Sequence, residues 1–576
     1  MKQVVSLLLI IIAVIGCAQP QNNLEATAVA VANLTLTAVA ANPAHTSTAQ
    51  PTVTSTDVIT AQLEPEAVPA TLTSLPTTVP SATFTAEPIP TDNVTAIPTM
   101  AIAVQTTAPT LEGSPTESTA ATTLPTQAAA TSTAAPDLPA APPSQLSPAL
   151  VGPAAPTVYE TTLSIPTYGY ESGFVPTTEE DVIFPYPRMD FSQVSGPSAR
   201  TYQAIVLENG YISVTILPEL GGRIYSLRDK ATGRELLYQN PVIKPTSWGY
   251  REWWLAAGGI EWAFPVEEHG LNEWRPWQYS IGSSGYGTAV TVSDIEDRTG
   301  MEVGVTISLD SGYAYVTLQP WARNISGQPQ TYQLWLNAML TLGNNTVSDE
   351  TQFIVPGGEV IVHSSGDGGV PGSGGIMSWP YQDGRDMSIY GNWNGYLGFF
   401  VPAGYGFSGL YDHSNGQGIV RAHAPNWPSG TKFFGPSTLS PSLWTDDNSN
   451  YVELWSGATG SFWHSATIEP EQTITWTEHW YPINGSGGFN YANRLAALNL
   501  IDTGNGVDIS IAVSTYFSGD IILWSGREAV ASWPVKMGPS QVFHATWQRP
   551  EGISGSLGLH LQADDGSTVA QFGAVP

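Results

Sequence analysis

The feature that most constrains this chain of 576 residues is an abrupt change of composition near residue 156. Residues 18–155 contain no lysine or arginine, and Phe84 is their only aromatic residue. Threonine, alanine, proline and serine dominate the stretch, which therefore cannot bury enough apolar surface to offset the conformational entropy lost on folding. We predict a disordered, extended linker over residues 18–156, followed by a folded part rich in aromatic residues and glycine.

The N-terminus predicts export. Lys2 precedes an apolar run over residues 4–15, which is too short for a bilayer core that needs roughly 20 apolar residues. The residues that end at Cys17 resemble the lipobox of bacterial lipoproteins, in which the cysteine is acylated; the alternative is a signal peptide with an incidental cysteine. We predict a lipoprotein signal over residues 1–17 and a head in the cell envelope that faces outward, with the N-terminal lipid as its only membrane contact.

Charge and cysteine content exclude several classes of protein. The formal net charge of −30 argues against nucleic acid as a partner, because phosphate backbones are bound by clustered lysine and arginine. It also argues against adhesion to anionic lipid through basic patches. Cys17 is the only cysteine, so the folded part must be stabilised by packing, without internal disulfides.

The folded part has the patterning of antiparallel sheet. Residues 211–216, 303–307 and 313–318 alternate between apolar and polar side chains, and glycine-containing turns separate such runs. Period-two alternation with short turns predicts a mainly β fold, a sandwich or a barrel. We predict one domain over residues 157–499 and a small C-terminal β-sandwich over residues 500–576, to which no chemistry can be assigned.

Five motifs carry a resemblance to a known family. They lie at residues 207–225, 258–265, 411–413, 451–457 and 480–482. Together they resemble a family of uncharacterised bacterial proteins with a galactose-mutarotase-like domain, often joined to tetratricopeptide repeats, which have no counterpart in this sequence. The resemblance implies a β-supersandwich of the type that aldose epimerases share with several other carbohydrate-active enzymes.

The resemblance also implies an acid–base site. Aldose epimerases use a glutamate as general base and a histidine as general acid, and each needs a pKa near the working pH. Glu453 is the candidate base, because it lies on a predicted strand followed by a proline-containing turn and an aromatic strand; a solvated glutamate is the alternative. Where epimerases carry the acid histidine, this chain has Asn337. An amide cannot donate a proton at neutral pH, so His269 or His413 would have to replace it.

Glu261 is the second candidate carboxylate. Its surroundings are apolar and flanked by glycine, and a carboxylate in such a setting is costly to bury unless it is paired. Either it belongs to a functional site, or it forms a structural ion pair with Arg223 or Arg251. His269 lies in a His-Gly element that resembles the sugar-pocket element of epimerases, and an incidental loop histidine is the alternative.

Aromatic residues are the other indication of sugar binding. Tryptophan offers a flat apolar face to sugar C–H groups and an N–H that can bond hydroxyls, although most tryptophans of β proteins are core residues. We predict Glu453, Glu261 and His269 as catalytic candidates. The predicted substrate-binding residues are Arg223, Trp262, Asn337, His413 and Trp393.

No metal or cofactor is predicted, because the chain lacks zinc-ligand spacings, a phosphate-binding loop and a nucleophile elbow; a calcium site formed by scattered loops remains open. The leading hypothesis is a surface lipoprotein that binds an oligosaccharide or polysaccharide. The alternative is an enzyme that acts at an anomeric carbon, either an epimerase or a glycoside-cleaving enzyme that uses Glu453 and Glu261 with a histidine. The third is a structural surface head without a pocket.

Overall fold

The computed structural model describes residues 155–285 and 287–576. The predicted signal peptide with Cys17 and almost all of the predicted linker lie outside the described residues. Among the described residues, no helix is long and apolar enough to cross a membrane.

The described chain is built almost entirely from strands, which confirms the predicted mainly β class. Its helical segments are four short 3₁₀ turns, at Tyr170–Gly173, Phe191–Gln193, Tyr390–Asn392 and Pro441–Leu443. The first 28 strands are β1 (Thr157–Gly169), β2 (Phe174–Val175), β3 (Arg188–Met189), β4 (Ser195–Glu208), β5 (Ile212–Leu217), β6 (Arg223–Asp229), β7 (Gln239–Thr246), β8 (Trp254–Gly258), β9 (Ile260–Ala263), β10 (Gln278–Ser284), β11 (Gly287–Ile295), β12 (Glu302–Asp310), β13 (Val316–Arg323), β14 (Gln330–Tyr332), β15 (Trp335–Leu340), β16 (Thr351–Ile354), β17 (Glu359–Ser365), β18 (Ile376–Ser378), β19 (Tyr381–Gln382), β20 (Arg385–Asp386), β21 (Leu397–Phe400), β22 (Phe407–Asp412), β23 (Gln417–His423), β24 (Gly430–Gly435), β25 (Val452–Gly457), β26 (Ala466–Ile468), β27 (Thr473–Thr475) and β28 (Glu478–Asn484).

Two large sheets contain most of these strands. A 13-stranded sheet has the order β18-β17-β21-β24-β25-β15-β9-β6-β5-β4-β1-β7-β8, and a nine-stranded sheet has the order β10-β11-β12-β13-β28-β23-β22-β16, with β27 paired to β13. Pairing is antiparallel except between β1 and β7. The predicted strand at residues 211–216 is β5, and the one at residues 303–307 lies inside β12.

The two sheets pack face to face around one apolar core. Alternate residues of β5, such as Val214 and Ile216, face residues of the other sheet such as Val292 and Val305, and all of them are fully buried in one cluster. This two-layer sandwich is the arrangement that period-two patterning favours, since each strand offers one side chain in two to the shared core.

Eight further strands form a second, smaller sandwich at the C-terminus. It has two four-stranded sheets, of order β29-β30-β31-β34 and β33-β32-β35-β36, around a core of its own. The boundary predicted at residue 500 falls inside a strand of this sandwich, which begins about ten residues earlier. Its strands are β29 (Tyr491–Ala492), β30 (Ala496–Asp502), β31 (Gly506–Val513), β32 (Phe517–Ser525), β33 (Glu528–Met537), β34 (Val542–Gln548), β35 (Leu557–Ala563) and β36 (Thr568–Gly573).

The small sandwich packs on the outer face of the nine-stranded sheet. Val420 and Tyr481 of that sheet share an apolar cluster with Ala497 and Ala512 of the small sandwich. The Tyr481 hydroxyl donates to the carbonyl of Asn493 at 2.7 Å. The outer face of the 13-stranded sheet therefore lies on the opposite side of the large sandwich from the C-terminal module.

The indole ring of Trp335 packs closely against Gly430 of β24 and Gly457 of β25, which yields a stability prediction. A side-chain carbon at Gly457 would collide with the ring of Trp335 on the next strand. We expect Gly457→Ala to lower the free energy of unfolding by about 1–3 kcal/mol, the usual cost of overpacking a core. Denaturant unfolding checks this, with Gly460→Ala as the control because that position is open. Equal stability of the two variants would contradict the packing described here.

Candidate functional site

A row of polar side chains crosses the middle of the 13-stranded sheet on its outer face. The four adjacent strands β24, β25, β15 and β9 carry it. Along β25, Val452 and Leu454 belong to the core between the sheets, so Glu453 and Trp455 must point to the other face. The same alternation places charged and amide groups on one surface of otherwise apolar strands.

The strand register brings these groups side by side. Asn337 on β15 lies opposite Glu261 on β9 and opposite Trp455 on β25. Trp455 in turn lies opposite Lys432 on β24, and Glu453 lies opposite Phe434. Lys432, Trp455, Asn337 and Glu261 therefore form one line across four strands, with Glu453 one residue pair further along the sheet.

Glu261 and His269 form the tightest pair of the site. Nδ1 of His269 donates to Oε1 of Glu261 at 2.5 Å. Oε2 of Glu261 accepts from Nε1 of Trp254 at 3.0 Å and lies 3.6 Å from the guanidinium of Arg223. Because the carboxylate fixes Nδ1 as a donor, it also fixes the orientation of the imidazole ring.

This pairing favours a positively charged imidazole. Burial acts to lower the pKa of His269, but the Glu261 carboxylate outweighs it and raises the pKa above its ordinary value. Burial would likewise raise the pKa of Glu261, but His269 and Arg223 lower it overall. The imidazole also stacks on the indole of Trp254, with ring centroids 4.1 Å apart and planes 18° apart, an arrangement that stabilises a cation.

Glu453 is in a different environment. Its Oε2 accepts from Nε1 of Trp455 at 2.7 Å, and its Oε1 lies 3.4 Å from the Nδ2 of Asn337. The same amide nitrogen lies 3.2 Å from Glu261, so it bridges the two carboxylates. Burial raises the pKa of Glu453 above its ordinary value, against the opposing effects of Lys432 and His269. Glu453 thus becomes a better proton acceptor near neutral pH than an ordinary carboxylate.

A cavity covers this part of the sheet. Its ionisable lining groups are Glu268, His269, His363, Lys432 and Glu453, and its aromatic walls are Trp248, Trp254, Phe434, Trp444, Tyr451 and Trp455. Glu261 and Asn337 lie behind these groups, fully buried.

Several polar atoms at the cavity have no hydrogen-bond partner within the described residues. They are Nε2 of His269, the hydroxyl of Tyr451 and the ammonium of Lys432. These groups, together with the Glu453 carboxylate, can bond a ligand without first breaking a strong internal bond. The cavity can therefore accept a proton at Glu453 and deliver one from His269.

Three predicted binding residues lie elsewhere. Trp262 faces the core between the sheets and donates to the carbonyl of Gly222 at 3.1 Å. Trp393 is also in that core, stacked on Phe353. His413 lies in an exposed turn after β22, where its Nε2 pairs with Gln352. These positions do not support a substrate-binding role. Strand alternation directs the indole of Trp262 inward, Trp393 packs into the core from the turn after Tyr390–Asn392, and β22 belongs to the other sheet.

Of the two arginines considered as ion-pair partners of Glu261, Arg223 forms that pair, at 3.6 Å, and Arg251 does not. Arg251 forms a bidentate ion pair with Glu273. Arg223 is buried behind Glu261, where it donates to the carbonyls of Leu220 and Gly258. Arg223 contacts Glu261 on the side away from the cavity and does not line the cavity.

Residue-by-residue reasoning missed Lys432 and His363. Lys432 lies in a glycine-flanked aromatic strand and is one of the few lysines of the chain, and that contrast was an available signal. His363 lies on β17, two strands from Lys432, and nothing in its local sequence indicates a site. Among the described residues, no group of three or more His, Cys, Asp or Glu side chains could hold a metal ion.

Three solved structures illustrate what this chain is similar to. A TPR-domain containing protein from Parabacteroides distasonis matches at 26% identity and a TM-score of 0.51, over 57% of this chain and 56% of that one. This chain thus spans about half the length of that protein. A galactose mutarotase related enzyme from Lactobacillus acidophilus matches at 11% identity and a TM-score of 0.35, over 49% of this chain and 97% of that one. A galactose mutarotase-like protein from Clostridium acetobutylicum matches at 11% identity and a TM-score of 0.36, over 49% and 96%.

A family model described as a domain of unknown function (DUF5107) matches residues 180–483. The matched region contains the four strands that carry the polar row and every residue that lines the cavity. The predicted membership of an uncharacterised family is thereby confirmed, and the chain belongs to the DUF5107 family.

Proposed function

We propose that the cavity catalyses the opening and closing of a sugar ring at its anomeric carbon, as an aldose epimerase does. The observation that carries this proposal is that Glu453 and His269 line one cavity with their pKa values shifted in the directions that a base and an acid require. A cavity that only binds sugar does not need a carboxylate with a raised pKa beside a histidine whose pKa is also raised.

The reaction uses the two groups in sequence. Glu453 takes the proton of the anomeric hydroxyl, and His269 gives the proton on Nε2 to the ring oxygen. The bond between the anomeric carbon and the ring oxygen breaks, its electron pair stays on the oxygen, and the anomeric carbon becomes a carbonyl. After rotation of the open chain, the reverse steps close the ring on the other face and return both protons, so the enzyme is unchanged.

The fully buried groups act by positioning. Glu261 holds the His269 ring and favours its protonated form, while Asn337 bonds both carboxylates and cannot itself supply a proton. In the sequence, Asn337 stands where epimerases carry the acid histidine, and an amide cannot replace that acid. His269 comes from the loop after β9, and it can serve as the acid that the central strand lacks.

A sugar is the proposed substrate because aromatic side chains line the cavity. Trp248, Trp254 and Trp444 line one cavity, and indole rings beside hydrogen-bonding groups suit sugar rings. Similarity to galactose-mutarotase-like proteins agrees with this class of ligand. The reaction needs a free anomeric hydroxyl, so the substrate is a free sugar or the reducing end of an oligosaccharide.

Glycoside cleavage by Glu453 and Glu261 is less well supported. Both carboxylates would have to reach the scissile bond, but Glu261 is fully buried and occupied by Trp254, His269 and Asn337. Simple binding of a glycan remains part of the proposed function, since catalysis requires it.

We also propose that the head works outside the cytoplasm on a lipid tether. The motif that ends at Cys17 supports this location. We expect Cys17→Ser to abolish incorporation of labelled fatty acid and to release the protein from the membrane fraction. Equal labelling of the variant and the parent would contradict a lipid at Cys17.

Glu453 provides the direct test of the catalytic proposal. We expect Glu453→Gln to slow anomer exchange by about 10²- to 10⁴-fold, the usual contribution of a general base. The measurement is exchange spectroscopy by NMR on a panel of free sugars. Glu469→Gln is the control, because Glu469 is an exposed residue of the same region. A parent chain that exchanges none of the sugars, or a Glu453→Gln variant as fast as the parent, would overturn the proposal.

The pH profile tests the roles of acid and base. Activity should fall as the pH drops through the raised pKa of Glu453, because the base becomes protonated, and as the pH rises through the raised pKa of His269, because the acid loses its proton. Glu261→Gln removes the charge that stabilises the imidazolium, so the alkaline limb of kcat/KM should move down by about one pH unit. A lower rate with an unmoved alkaline limb would contradict the role of Glu261.

A further inference from the structure

Lys432 has an unusual environment for a buried lysine. It is only 4% exposed, and it lines the cavity from β24. Its ammonium lies 4.6 Å from the ring centre of Trp455, 4.7 Å from that of Phe462 and 5.3 Å from that of Phe434. Within the described residues, the ammonium makes no hydrogen bond and no ion pair.

An arrangement of this kind is costly. Transfer of an ammonium from water to an apolar setting is strongly unfavourable, and aromatic faces return only part of the loss. Two carboxylates face the ammonium, Glu453 and Glu268, but neither is at ion-pair distance. Burial accordingly lowers the pKa of Lys432 despite the opposing effect of these two carboxylates.

The neighbours of Lys432 on β17 are neutral hydrogen-bonding groups. His363 and Ser364 both line the cavity. Burial, with a smaller contribution from Lys432, lowers the pKa of His363 to about 3, so this imidazole is uncharged at neutral pH. This end of the cavity therefore combines one cation with a neutral imidazole and a hydroxyl, and it lies beside the end that holds Glu453 and His269.

We propose that Lys432 recognises a singly charged anionic substituent, a carboxylate or a sulfate ester, on the sugar that the cavity takes. The inference rests on the proposed function and names its substrate class as acidic sugars. An anion at this end would supply the ion pair that the protein does not. Nδ1 of His363 and the hydroxyl of Ser364 bond each other at 3.1 Å, so this pair keeps one hydrogen that it can donate to a further oxygen of the anion.

Geometry and charge both limit the choice of ligand. Lys432 pairs with Trp455, two residues from Glu453 on β25, so one sugar ring can reach both the lysine and the base. A single cation matches a monoanion better than the dianion of a phosphate monoester. The net charge of −30 disfavours any anion at long range, but salt screens such repulsion beyond about 8 Å, so the local lysine dominates within the cavity.

Calorimetric titration of the full chain tests this inference. The probes are galacturonate, glucuronate and galactose 6-sulfate, with galactose, glucose and glucose 6-phosphate for comparison. We expect at least one monoanionic sugar to bind about tenfold or more tightly than its neutral parent, since one charge-assisted contact is worth that much.

Three variants locate the preference. Lys432→Met, which fits an apolar cage, should bind neutral and acidic sugars equally, whereas Lys432→Arg should keep the preference for the acidic sugar. Lys536→Met is the control, because it removes one exposed charge from the small sandwich. Should Lys432→Met fail to fold, loss of the preference in Lys432→Arg would count against the proposal. Equal binding of all sugars by the parent, a preference that survives in Lys432→Met, or tightest binding of the phosphate would each overturn it.

The two proposals fail separately. Anomer exchange of neutral sugars without preference for acidic ones would remove the inference about Lys432 and leave the proposed reaction intact. Tight binding of an acidic sugar without anomer exchange would remove the reaction and leave the role of Lys432. Binding of none of the probes would overturn both.

Discussion

The hydrogen bond between Glu261 and His269 is the interaction on which the chemistry of this fold depends. Glu261 is fully buried in the sheet, and without partners its charge would be too costly to keep. His269 supplies one of these partners from a loop, and the loop thereby places a protonatable ring at the cavity. Together with Arg223, Trp254 and Asn337, this contact offsets the cost of burying the carboxylate. It also sets the orientation of the imidazole and the direction in which the pKa of the imidazole moves.

Much of the fold could be predicted because β-sheets encode burial in alternation. The run that became β5 and the run inside β12 were recognisable from period-two patterning, and the composition change near residue 156 located the start of β1. The strand order of the 13-stranded sheet was not predictable, because β24, β25, β15 and β9 are distant in sequence and pair only in the folded chain. The predicted domain boundary at residue 500 lies about ten residues after the observed start of the small sandwich, because no turn sequence separates the two domains at residue 500, which lies inside β30.

The site was predicted unevenly for a physical reason. The family resemblance pointed to Glu453, His269 and Asn337, and the apolar setting of Glu261 pointed to that residue; the structure brings these four side chains together. Trp262 lies on the core side of β9, away from the cavity, because neighbouring residues of a strand point to opposite faces. Lys432 was missed because its notable property is burial without an ion-pair partner, and such a property is visible only in the folded structure.

We propose that the buried groups of the site orient the groups that contact the ligand. The central claim is that Glu261 holds His269 in the protonated form. The most direct measurement is an NMR titration of the chain with labelled histidine, with the His269 signal assigned by His269→Gln. The account predicts a pKa for His269 above the ordinary value of about 6.5, with Nδ1 retaining its proton in the neutral form. A pKa at or below that value, unchanged by Glu261→Gln, would contradict it.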